Sequence, residues 1–245
     1  MAGTHRIFDH VLFAALLVIP IIEWRWMWPR FLARLASREA RIRLRFYRAA
    51  ILQTWLLTLC LLVFWIAQGR PWSRLLLGHP PFLRLAGGLA VAVLLAGFLR
   101  WQRERTLAHP EAIERARRAL ACAAPLLPHT RAERKVFWIV SATAGICEEV
   151  LFRGFLIWYL AVWIGPIAAI VLSSLIFGAG HIYLGLAQTP RAALAGLIFA
   201  CLAFASASLW PAILLHAALD WNSGELWFCT QGAARPKGPS KEIHG

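Results

Sequence analysis

Long apolar runs alternate with short charged connections along the whole chain. A helix needs about 20 apolar residues to cross the hydrocarbon of a bilayer. On that measure seven spans are predicted, at about 9–28, 47–68, 82–101, 135–164, 167–186, 192–206 and 207–228. The fourth is too long for one straight crossing and is expected to tilt or kink. The boundary between the last two, in "SASLWPA", is soft, so six to eight spans fit the pattern. The expected fold is all-α, a polytopic membrane bundle with any active site buried between helices.

The connections predict the orientation. The first carries Arg30, Arg34, Arg38, Arg41, Arg43 and Arg45, and the third carries Arg103, Arg105, Arg115, Arg117, Arg118, Arg131, Arg134 and Lys135. Basic loops stay on the cytoplasmic side. The N-terminus is then outside, and the C-terminal Arg235, Lys237 and Lys241 are inside; Arg6 is contrary evidence. "HRIFDHVLFAALLVIPII" lacks a small-residue cleavage site and runs straight into "EWRWMWPR". It is expected to be a retained first span with an aromatic interfacial belt. Within the third connection, "PEAIERARRALACAAPLL" has Pro110 at a helix start, acids in the first turn and Arg117 and Arg118 later. That order suits a cytoplasmic or interfacial helix. Three regions follow: residues 1–124 with N-terminal spans and the connecting helix, 125–229 as the core that carries the chemistry, and 230–245 as a disordered cytoplasmic tail.

Composition sharpens this picture. The chain is 60% hydrophobic with mean hydropathy +0.60, too apolar for an ordinary soluble domain. Its formal charge of +14 sits mainly between the spans, where it faces anionic lipid and does not form a nucleic-acid-binding face. The five cysteines are scattered without a CxxC, so neither a disulfide framework nor a cysteine zinc site is expected. Basic residues are nearly all Arg, and Ala and Leu abound, which hints at a GC-rich bacterial genome and hence a bacterial cytoplasmic membrane.

Polar clusters break three of the spans. Each intramembrane charge costs about 2.5–3.5 kcal/mol on insertion scales, so such residues default to function. In "AGICEEVLFRGFLIWYL", Glu149 and Arg153 are four apart and can pair on one helical stripe. Glu148 points about 100° away, lacks that partner and is the candidate general base. In "SSLIFGAGHIYLG", Phe177 and His181 share a face, and Gly178 and Gly180 clear space beside the histidine for helix packing or substrate. In "LLHAALDWNSGELW", His216 and Asp220 are four apart, so the carboxylate is expected to orient the imidazole, while Asn222 faces elsewhere. Helical rise places Glu148, His181, His216 and Asp220 roughly 14–20 Å from the span ends, compatible with one interior site.

"EEVLFRG", "FGAGH" and "HAALD" resemble, in order, the EExxxR, FxxxH and HxxxN/D motifs of the CPBP family. That family comprises CAAX prenyl proteases, bacteriocin-processing enzymes and the Abi group. The resemblance covers about residues 125–225 and includes "LPHTRAERKVFWIVSATAGI"; the first three spans carry none of it. It implies a fold similar to the Ras-converting CAAX endopeptidase, with a buried chamber and intramembrane endopeptidase activity. Carried over, Glu148 and His181 activate a water for attack on a peptide carbonyl, His216 and Asp220 take the oxyanion-stabilising positions, and Glu149, Arg153 and Phe177 support the site. No cofactor is then needed. The rival is zinc held by Glu148, His181 and His216, although the spacing is not HExxH. A non-catalytic immunity or scaffold protein and a proton-coupled transporter are the alternatives outside protease chemistry. The expected partners are membrane lipids and a peptide or membrane-protein substrate, with no nucleic acid; the sequence leaves the oligomeric state open.

Overall fold

The computed structural model describes residues 6–233. These residues form eight helices and no strand. Helix α1 is Ile7–Ala36, α2 is Ile42–Ala67 and α3 is Phe82–Leu107. Helix α4 is the amphipathic Pro110–Leu120. Helix α5 is the continuous run 131–164, α6 is Pro166–Ala179, α7 is Thr189–Ser206 and α8 is Trp210–Ala233. By length and composition α1, α2, α3 and α7 are each apolar enough to cross a membrane. The chain is an integral membrane protein.

Local chemistry sets the ends of these helices. The hydroxyl of Thr130 accepts the Glu133 N–H, and the Glu133 carboxylate accepts the N–H of Thr130 and of His129. This reciprocal box opens α5. Gly165 holds φ +78° with nothing to meet a Cβ, and Pro166 starts α6 at once. Only a glycine enters that left-handed turn without cost.

The spans predicted at 47–68, 82–101, 192–206 and 207–228 correspond to α2, α3, α7 and α8 with shifted ends. Two differences matter. The fifth span was expected over 167–186, but α6 ends at Ala179 and residues Ile182–Leu184 form a single 3₁₀ turn. His181 therefore stands in a turn, not inside a helix. The long fourth span carries a π-helical stretch, Glu149–Leu156, in mid-course. Helix α8 continues through Ala233, past the expected tail boundary at 229; residues 234–245 lie outside the described residues.

Helices α5 and α8 pack on each other at the centre, flanked by α2 on α5, α3 on α8 and the α6–α7 pair. At one end, Arg70 makes two 2.7 Å bonds to the buried Asp9, and the Leu209 N–H bonds the Leu76 carbonyl. At the other, Arg43 bonds the Pro125 carbonyl and Gln188 reaches the Ala119 carbonyl. These contacts bring the arginine-rich first and third connections together at one end.

Candidate active site

The EExxxR segment straddles the start of the π-helical stretch, and helix phase separates its two glutamates. Glu149 and Arg153 point into the core and are 0% and 1% exposed. Arg153 Nη1 donates to Glu149 Oε1 at 2.9 Å. Its guanidinium also lies 4.2 Å from the Phe177 ring centre and 5.4 Å from that of Phe199, two cation–π contacts. A Cβ on Gly196 would come within 2.8 Å of Arg153 Nη2, so this close approach needs a glycine on α7.

Glu149 also holds His216. The same Oε1 lies 2.8 Å from His216 Nδ1. That oxygen already accepts a guanidinium N–H, so Nδ1 is the donor. The imidazole is stacked on Phe199 at 4.8 Å and meets Phe177 edge-on at 5.9 Å. Nε2 is left to face Asp220 Oδ2 at 3.7 Å and Glu148 Oε2 at 3.9 Å, both beyond hydrogen-bond length. The i,i+4 spacing led us to expect that Asp220 orients His216. Glu149 does so instead, because it reaches Nδ1 while Asp220 stands off Nε2.

His181 is fixed differently. Its Nδ1 lies 2.8 Å from the Phe177 carbonyl, which has no proton to give. Nδ1 therefore carries the hydrogen, and Nε2 of the neutral ring keeps its lone pair. The rings of Phe177 and His181 are 4.7 Å apart, as their shared face predicts. Gly178 packs so tightly on α7 that a Cβ would lie 2.7 Å from the Thr189 carbonyl. Its missing side chain serves helix approach.

Glu148, His181, His216 and Asp220 line one cavity of about 540 Å³. Glu149 and Arg153 are not among its lining residues. Glu148 Oε2 is buried without a hydrogen-bond partner among the described residues. No ion pair joins Glu148 to His181 among those residues. The cavity extends toward the arginine-rich end, where Leu120, Leu126, Leu127 and Arg191 contribute to its wall. Asn222 faces away, as its helical phase requires, and accepts a bond from Arg103 at 2.9 Å.

The zinc alternative asks Glu148, His181 and His216 to act as a ligand set. Among the described residues, no three His, Cys, Asp or Glu side chains converge in a way that holds a metal ion.

Phe199, which stacks on the His216 imidazole, carries no signal in its apolar stretch. Glu23, Gln53 and Tyr183, which line a cavity beside Glu148, are equally silent. Glu23 is hidden in "EWRWMWPR", whose tryptophans read as an interfacial belt.

A family model described as type II CAAX prenyl endopeptidase Rce1-like matches residues 132–222. The match begins in the first turn of α5, ends within α8 and includes all three motifs; α1 to α4 lie outside it. No curated protein and no solved structure matches the chain.

Proposed function

We propose, from the match of residues 132–222 to the type II CAAX prenyl endopeptidase-like family model, that the chain is an intramembrane endopeptidase that hydrolyses a peptide bond with a glutamate-activated water. The observation that carries this reading is the convergence of Glu148, His181, His216 and Asp220, drawn from three motifs, on one cavity.

In this scheme the peptide carbonyl sits between Glu148 and the His216–Asp220 side. Glu148 takes a proton from water as the oxygen bonds to the carbonyl carbon, and the carbonyl π pair moves onto its oxygen. His181 orients the water through the Nε2 lone pair. The oxyanion is met by the Nε2–H of a doubly protonated His216, whose Nδ1–H stays on Glu149. Asp220 offsets the imidazolium charge throughout, and Glu148 does so until it takes the proton from water. The proton held by Glu148 then passes to the leaving nitrogen as the carbon–nitrogen bond breaks. Glu149 and Arg153 act through His216, as positioning residues.

The arginine-rich end is the cytoplasmic end in this reading, so the cavity receives substrate from that side of a bacterial cytoplasmic membrane. The substrate is a membrane-associated protein or peptide. Quantitative membrane proteomics of cells with the wild type or Glu148→Ala tests the proposal. An uncut precursor that accumulates only with Glu148→Ala supports it; identical proteomes contradict it.

A further inference from the structure

Hydrolysis consumes one water per bond, and that water must reach Glu148 while a peptide fills the main cavity. Away from the catalytic groups the walls of that cavity are largely apolar, with Phe46, Ile51, Leu120 and Leu127 among them. A second cavity, of about 150 Å³, also has Glu148 in its wall. It shares Phe46, Ala50, Thr54, Glu148 and Tyr183 with the first, and adds Glu23 and Trp28 from α1 and Gln53 from α2. One water needs roughly 10–15 Å³ of such space, so several fit.

Its polar lining is built by an unusual backbone. Residues Glu23–Met27 form a π-helical turn in α1, closed by the Trp28 N–H on the Glu23 carbonyl. Such turns are rare and concentrate at functional sites. This one sets the Glu23 carboxylate against α2, where Gln53 Nε2 donates to Glu23 Oε1. Thr54 Oγ1 donates to the Ala50 carbonyl at 2.6 Å and keeps its acceptor capacity. A carboxylate, a primary amide and a hydroxyl thus line a small cavity inside a membrane bundle, where polar groups are retained at a cost. Water matches both the size of the cavity and its mixed donors and acceptors.

We propose that this second cavity is a side chamber that holds water for Glu148, with Glu23 and Gln53 as its positioning residues. The inference rests on the hydrolytic reading of the site. It gives the first two helices, which lie outside the matched segment, a part in the reaction.

The test uses the full chain in proteoliposomes and a quenched fluorescent peptide selected from a random library for Glu148-dependent cleavage. Glu23→Leu and Gln53→Leu should each lower kcat about tenfold while KM stays within about twofold. Added sucrose should slow both more steeply than the wild type, which a merely structural defect would not produce. Glu23→Gln, whose amide still bonds water, should keep most of the rate. Folded leucine variants with wild-type kcat, or with a loss confined to KM, overturn the proposal. Should the leucine variants not fold, hydroxyl-radical labelling of the wild type decides. With the main cavity blocked by the same peptide carrying a reduced amide bond, Tyr183 should still be labelled, and its full protection overturns the chamber. If the library yields no Glu148-dependent cleavage, the hydrolytic reading fails and this inference with it. Cleavage that the leucine variants leave intact removes only the chamber.

Discussion

Glu149 Oε1 lies 2.8 Å from His216 Nδ1 and 2.9 Å from Arg153 Nη1, so one carboxylate oxygen ties a buried imidazole to a buried guanidinium. Removing Glu149 therefore damages stability and chemistry together. Glu149→Ala leaves Arg153 unpaired in the core, and breaking a buried pair costs about 3–5 kcal/mol. A large fall in the thermal unfolding temperature in detergent is expected, with loss of cleavage. An Ala variant as stable as the wild type would contradict the pairing.

Asp220 has the opposite profile. It stands 3.7 Å from Nε2 and does not hold the ring, so Asp220→Asn should leave His216 oriented. Cleavage should fall by less than about tenfold, whereas His216→Ala should cost on the order of 10²–10³, as for loss of an oxyanion donor. Parallel kcat measurements on the two variants check this. Equal losses would return the orienting role to Asp220.

The contrast between these residues shows what the sequence could carry. Glu149 and Arg153 pair because residues four apart share a helical stripe, and Glu148 is set apart by a single 100° step. Both facts are local and legible. The bond from Glu149 to His216 joins α5 to α8 across 67 positions, and no local periodicity encodes it. His216 and Asp220 obey the same i,i+4 rule, yet tertiary contact with Glu149 decides which ring nitrogen is held. The helical membrane bundle was legible from hydropathy alone. The break of α6 before His181 was not, because "HIYLGLA" stays apolar beyond the helix end. Glu23 was masked by its tryptophan neighbours, and only packing brings it to Glu148.

Helix approach near the site gives a stability prediction. A methyl on Gly178 would meet the Thr189 carbonyl at 2.7 Å, a backbone atom that cannot swing away. Gly178→Ala should push α6 from α7 and cost about 1–3 kcal/mol, as overpacked cores do. Thermal unfolding of the purified protein measures it, and an unchanged midpoint would refute the close contact.

Metal dependence has a direct readout. The proposed steps use side chains alone, with Glu148 as the base and no metal ion. Cleavage should persist after extended dialysis against EDTA and 1,10-phenanthroline. Activity lost on chelation and restored by zinc would replace the glutamate scheme with a metal one.

The central claim is that Glu148 is the base that makes water a nucleophile. The most direct measurement is cleavage of a quenched peptide library by purified protein in proteoliposomes, wild type against Glu148→Gln. Discrete, reproducible products are expected from the wild type and none from Glu148→Gln, with both proteins unfolding at closely similar temperatures. The same products from Glu148→Gln, or none from either protein, would contradict it.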